Sequence, residues 1–237
     1  MRILKAGFEI MRPQKLDDAS RDAIYGAIEA AARTCYKSED LICEGSAEKM
    51  CRQLIKRKHY AMLEHASLTV RFFVDRGVTH ECVRHRVASF AQESTRYCNY
   101  NQYRFGNDIT YVDVAHGMKT DPKVSKLSAD LQQAIYQEWL DACADAEMHY
   151  MKMIDLGASP QIARSVLNNS TKSELVITMN IREWRHFLKL RALGTTGKPH
   201  PQMSEVAVPL LASLATHLPA LFGDLLMDDQ APLDDME

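Results

Sequence analysis

Apolar positions recur along this chain at two spacings, near 3.6 and near 2, and the switches between them mark its elements. Residues 1–10 read as a short strand. Ser20 is placed to cap a helix through about Tyr36, with Ile24, Ala27, Ile28, Ala31 and Ala32 along its apolar side. Ser46 is placed to cap a second helix, which carries Met50, Leu54 and Ile55 at helical spacing and ends near His59. From Ala66 the spacing drops to two, and Ala66, Leu68, Val70, Phe72 and Val74 predict a strand with one face buried.

Gly77 starts a short helical stretch that runs into Arg84-His85-Arg86, and residues 109–114 predict another strand. Leu127, Leu131, Ile135, Trp139, Cys143 and Ala146 step by three and four along a long amphipathic helix to about Leu156, which Gly157 is placed to end. Ser159 and Pro160 read as N-cap and first residue of a helix to about Leu167. Residues 174–179 predict a strand and 181–192 a helix. Pro201 opens a final helix through about Leu218, which Pro209 is expected to kink or break. No repeat or low-complexity linker interrupts the pattern, so the expectation is one α+β domain over residues 1–227. An acidic tail at residues 228–237 is expected to fray.

The chain has 237 residues, 46% hydrophobic and 25% charged, enough to bury a core without disulfide or metal staples. A formal net charge of −2 supplies no overall positive field, so neither nucleic acid nor membrane is an expected partner. The six cysteines include no CxxC pair, which argues against a zinc ribbon; no metal site is expected. Residues 1–5 lack a secretory apolar segment and no apolar run is long enough to span a bilayer, so a reducing cytoplasm is the expected location. Neither GxGxxG nor a P-loop occurs, so any phosphate falls to side chains, arginine first.

The arginines concentrate in one stretch, from Arg84-His85-Arg86 through Gln92-Glu93-Ser94-Thr95-Arg96. On a helix Arg84 and Arg86 would point about 200° apart and serve different partners. If the following segment is extended, Gln92, Ser94 and Arg96 fall on one side, where an amide, a hydroxyl and a guanidinium suit a phosphorylated heterocycle. Further on, Arg191 shares an i, i+3, i+4, i+7 stripe with Trp184, Phe187 and Leu188. Read alone, Arg191 is either in register with a buried face or a helix-terminal arginine easing the dipole. Arg182, Arg185, His186 and Lys189 form the opposite stripe, which alone reads as a solvated surface.

The pattern RHR, seven residues, Ser, one residue, Arg at 84–96 resembles the signature of flavin-dependent thymidylate synthases. Ala32-Arg33 before Cys35, His59 with Leu63-Glu64-His65, Ile162-Ala163-Arg164, and Asn180-Ile181-Arg182 through Leu190-Arg191 agree with that family in the same order. The resemblance spans roughly residues 30–205. It implies a central, mostly antiparallel sheet flanked by helices, assembled as a homotetramer with sites shared between subunits. It also implies methylation of dUMP to dTMP, with 5,10-methylenetetrahydrofolate as carbon donor and FAD and NADPH as reductants.

Carried over by position, the resemblance assigns Arg84, His85, Arg86, Gln92, Asn180, Arg182, His186 and His59 to the flavin. It assigns Glu81, Arg84, Gln92, Glu93, Ser94, Thr95, Arg96, Arg164 and Arg191 to dUMP. Arg191 is the residue expected to bind the uracil ring and favour its N3-deprotonated form. Arginine keeps its proton, so that role is electrostatic and not that of a base. The sequence departs from the family's usual pattern at Glu81 (often Gln), Ala61 (often Ser or Thr) and Thr95 (often smaller). A zinc protease is set aside, because His80-Glu81 is followed by His85 five residues after His80, about 140° around a helix. Cys35 and Cys98 are expected to be packing or rim residues, and Ser94 has no identifiable base beside it.

Overall fold

The computed structural model describes residues 1–227; the acidic segment 228–237, expected to fray, lies outside the described residues. Two short strands, β1 (Arg2–Leu4) and β2 (Gly7–Arg12), replace the single strand expected at the start. Helix α1 (Asp18–Thr34) begins earlier than Ser20 predicts, because Asp17 is its cap. The Asp17 carboxylate accepts the Ser20 backbone N–H while Ser20 Oγ accepts that of Asp17, a reciprocal capping box. Helix α2 (Ser46–Lys56) follows Gly45, whose φ of +75° makes it the N-cap in place of Ser46. Ser46 Oγ instead donates to Glu29, whose carboxylate also pairs with buried Arg33 at 2.7 Å.

Strand β3 (Ser67–Asp75) keeps the expected alternation, with Leu68, Val70, Phe72 and Val74 fully buried. Helix α3 (Arg76–Cys82) is capped by Asp75 and stops before the arginine motif, so Arg84 and Arg86 are not on a helix. Strand β4 (Ser89–Gln92) is followed by a turn at 95–97, so the extended run expected to align Gln92, Ser94 and Arg96 ends at Gln92. Strand β5 (Thr110–Val112) pairs in parallel with β1, Arg2 opposite Thr110. Helix α4 (Ala115–Thr120) precedes α5 (Ala129–Asp155), which Ser128 caps and beyond which Gly157 adopts φ +97°. The helix expected from Ser159 shortens to α6 (Pro160–Ala163) and a 3₁₀ turn at Arg164–Val166.

Strand β6 (Lys172–Asn180) turns directly into α7 (Ile181–Arg191), capped by the Asn180 side chain. Helix α8 (Pro201–His217) continues through Pro209, against expectation. Pro209 lies on the exposed side, where water can solvate the backbone group that loses its helical partner. Two short helices follow, α9 (Pro219–Phe222) and α10 (Asp224–Met227).

The larger sheet has the order β2-β3-β6-β4 and is antiparallel, so helix and strand mix as an α+β fold. The chain forms two compact units: residues 1–7, 72–84 and 91–175 in one, and 8–71, 85–90 and 176 onward in the other. In the second unit Trp184, Phe187 and Leu188 of α7 are fully buried, and the Trp184 indole donates to the Leu68 carbonyl at 3.0 Å. In the first, Ile109, Tyr111, Cys143 and Tyr150 form the centre of a separate core under α5.

Candidate active site

Most residues predicted for the nucleotide fall in the first unit, and most predicted for the flavin in the second. In the first, Gln92 Nε2 donates to Thr79 Oγ1 at 3.0 Å and to Ser173 Oγ at 3.1 Å, which fixes the amide against α3 and β6. Glu93 lies deeper in a network: it accepts from Lys172 Nζ at 2.9 Å, from the Tyr100 hydroxyl at 2.9 Å and from the Glu174 backbone N–H. These contacts make Glu93 a brace for the loop. Burial, and then the Glu93 charge, push the Tyr100 hydroxyl well above its ordinary range.

The turn after β4 brings Thr95, Arg96 and Arg164 together. Arg164 donates to Thr95 Oγ1 at 3.2 Å, and Arg96 Nε to Gln161 Oε1 at 3.2 Å. Arg76, Thr95, Gln161, Arg164, Ser165 and Leu167 line a recess of about 380 Å³. Two guanidiniums, a hydroxyl and an amide around one small hollow suit an anion such as a phosphate. Arg76 was not expected: it is separated from the motif in sequence, and only the fold of α3 places it there. Ser94 Oγ accepts the Arg96 backbone N–H at 3.3 Å. Arg84 is exposed and Glu81 is half-buried. Burial pushes the Cys98 thiol up, away from a reactive thiolate.

In the second unit His85 is buried against α7, its ring 4.9 Å from Phe187 and 5.8 Å from His186, each edge-on. Arg191 Nε donates to His85 Nε2 at 3.2 Å, and His85 Nδ1 lies 3.2 Å from Glu183 Oε1. Burial first, then the Arg191 and His186 charges, push the His85 pKa down to about 4, so the ring is neutral near pH 7. The contact with Glu183 is therefore a hydrogen bond from a neutral imidazole. Arg191 is half-buried at the last position of α7, in register with the buried stripe and bonded to His85.

Ligand atoms of His85, Glu183 and His186 lie within 4.8 Å of one another, the spacing of a metal cluster. Both His85 nitrogens are already engaged and the neighbouring donor is a guanidinium, so this geometry opposes a second cation.

Arg86 is exposed. His59, Tyr60, Ala61 and Arg182 line a recess of about 580 Å³ with Ala32, Tyr36, Met50 and Leu54. Tyr60, Arg182, Glu183, Arg185, His186 and Lys189 line another of about 320 Å³. Apolar walls with a cationic rim fit a flat ring system joined to phosphates, so these residues suit a flavin dinucleotide. Arg182 pairs with Glu64 at 2.6 Å, and Asn180 spends its amide oxygen on the Glu183 backbone N–H at 2.8 Å. Arg185 departs from the expected polar stripe. It is buried, donates to the Leu221 carbonyl and makes a two-pronged pair with Asp224 at 2.7 and 2.6 Å. Its partners lie more than thirty residues away, beyond the reach of helical periodicity.

Residues 22–220 match the family model described as thymidylate synthase complementing protein. The chain belongs to this family. Among its relatives, the flavin-dependent thymidylate synthase of Corynebacterium efficiens is 32% identical over 211 residues, covering 86% of this chain and 80% of that protein. The flavin-dependent thymidylate synthase of Mycobacterium avium is 33% identical over 207 residues, covering 83% and 78%. The thymidylate synthase complementing fold extends to a solved structure, the UMP/dUMP methylase PolB of Streptomyces cacaoi bound with 5-Br dUMP. That structure superposes with a TM-score of 0.74 at 24% identity, over 96% of this chain and 97% of the other.

Proposed function

We propose that this chain is a flavin-dependent thymidylate synthase. It replaces the C5 hydrogen of dUMP with a methyl group built from the methylene carbon of 5,10-methylenetetrahydrofolate, a hydride and a proton balancing the reduction. Two electrons come from NADPH, and NADP⁺, tetrahydrofolate and dTMP leave. The observation that carries this reading is that a chain of this family keeps, beside the intact motif, an arginine fixed by a neutral buried histidine.

The chemistry that FAD would supply, when bound, is hydride transfer between NADPH and the carbon donated to dUMP. His59, Arg182 and His186 would hold it, through the two recesses they line. Arg164, Thr95 and Arg76 line the recess that would hold the nucleotide phosphate, with Arg96 bonded to Gln161 of the same recess. Gln92 presents an amide whose position Thr79 and Ser173 fix. Arg191 offers N–H donors to the uracil ring and stabilises the negative charge that spreads over it as C5 becomes nucleophilic. Donors fixed in advance contribute most where charge develops during reaction. The reading assigns no step to a cysteine: burial raises the Cys98 thiol, Cys51, Cys82 and Cys143 are buried, and Cys35 and Cys43 are exposed.

The assembly is a homotetramer in the cytoplasm. Supporting this, Leu131 and Ile135 of α5 stand 53% and 39% exposed, so the first half of the helix's apolar stripe is uncovered in one protomer. All six cysteines are free, and among the described residues no helix is long and apolar enough to cross a membrane.

The test is turnover. Purified protein with FAD, NADPH and methylenetetrahydrofolate should convert dUMP to dTMP, and Arg191→Ala should lose most of that turnover while retaining FAD. Near-wild-type turnover in Arg191→Ala would remove Arg191 from the mechanism.

A further inference from the structure

We propose that Glu183 is a positioning residue for Arg191, acting through the ring of His85. The inference rests on the reading of Arg191 as the residue that meets the uracil ring. Glu183, Phe187 and Arg191 stand four residues apart in turn on α7, so they share one face over two turns. The His85 ring lies along that face, edge-on to Phe187, with one nitrogen toward each polar end.

The proton positions follow from donor chemistry. An arginine N–H can only donate, so the His85 Nε2 that receives Arg191 Nε at 3.2 Å must carry its lone pair. A neutral imidazole with Nε2 unprotonated has its proton on Nδ1. That nitrogen lies 3.2 Å from Glu183 Oε1, and a carboxylate only accepts. One arrangement satisfies both contacts: Nδ1–H to Glu183, and Arg191 Nε–H to Nε2. Glu183 therefore selects the tautomer, and the tautomer supplies the acceptor that sets the plane of the guanidinium.

Without an acceptor at Nδ1 the other tautomer becomes accessible. Its Nε2–H then opposes the Arg191 Nε–H, donor against donor. Burial of the ring makes an unsatisfied nitrogen costly, so the ring and the guanidinium would both move. Depression of the His85 pKa to about 4 is consistent with this, since a protonated ring could not accept from Arg191 at all. The cap of α7 does not depend on the Glu183 side chain, because Asn180 receives the Glu183 backbone N–H. The carboxylate can thus be changed without uncapping the helix.

The test compares wild-type holoenzyme with Glu183→Gln, Glu183→Leu and Arg191→Ala, recording kcat, KM for dUMP and bound FAD. Glu183→Leu should lose about tenfold or more in kcat, with KM changed less than about threefold. Glu183→Gln, whose amide oxygen still accepts from Nδ1, should keep at least about a third of wild-type kcat. Equal losses in the two Glu183 variants, or wild-type kcat in Glu183→Leu, would overturn the inference. Independently of any variant, ¹⁵N spectra of histidine-labelled wild-type holoenzyme should show His85 protonated at Nδ1 and bare at Nε2. The reverse pattern would overturn it even if Glu183→Leu fails to fold. Loss of turnover in Arg191→Ala beside an unaffected Glu183→Leu removes only the positioning role. Retained turnover in Arg191→Ala, or no dTMP from wild type, strikes the underlying reading of the site.

Discussion

Acidification should destabilise this protein through His85 in particular. Its pKa falls from 6.5 to about 4 on folding, so as pH drops the unfolded chain takes the proton first. The stabilisation is complete above about pH 6.5 and is lost progressively down to about pH 4. A shift of this size corresponds to about 3 kcal/mol, of which about 2 kcal/mol is lost between pH 7 and pH 4.5. The charged and titratable groups facing the ring are Glu183, His186 and Arg191. Glu183 works in the opposite sense: burial raises its pKa, so the folded state binds that proton first and gains from acid. Glu183 is present in both proteins, so the comparison of wild type with His85→Asn reads the imidazole together with its hydrogen bond to Glu183. Urea unfolding at one protein concentration with saturating FAD, at pH 7 and pH 4.5, gives the measurement. Wild type should lose about 2 kcal/mol more than His85→Asn over this interval. Equal losses would refute the buried, neutral assignment of His85 and the tautomer argument built on it.

Two other perturbations probe the first unit. Lys172→Met should destabilise the protein by about 1 kcal/mol or more in thermal or urea unfolding, because half-buried Glu93 loses its ammonium partner while still held by Tyr100. An unchanged midpoint would show that the brace under Gln92 is not built this way. Arg164→Ala should raise KM for dUMP about tenfold or more with FAD binding intact, since one charge-assisted bond to phosphate contributes roughly 1.5–3 kcal/mol. Unaltered KM in steady-state kinetics would place the phosphate elsewhere.

Much of this fold was legible from local pattern. The alternation of Leu68, Val70, Phe72 and Val74, and the helical stripe of Trp184, Phe187 and Leu188, report burial directly, because each element packs one face. Helix starts were less legible. Ser20 and Ser46 are both typical caps, but Asp17 takes one role through a reciprocal bond and Gly45 the other through a positive φ. No glycine or proline marks the end of α3, so the stop at Cys82 before Arg84 was invisible to spacing. Pro209 misled for the opposite reason: exposure makes a missing helical bond tolerable.

For the candidate site, the motif named candidate residues but not their partners. Nothing in the neighbourhood of Arg185 announces Asp224, and nothing near the motif announces Arg76 in the recess with Arg164. Glu183 was likewise missed. Its role rests on a histidine 98 residues earlier in the chain, a contact only the tertiary fold creates.

In the proposed reaction a flavin, not the folate, supplies the reducing electrons. A single-turnover experiment without oxygen tests it most directly: holoenzyme reduced by limiting NADPH is mixed with dUMP and methylenetetrahydrofolate. Flavin absorbance and products are followed together. Flavin reoxidation should match dTMP one for one, with tetrahydrofolate as the folate product. Formation of dihydrofolate, or of dTMP by protein stripped of flavin, would contradict it.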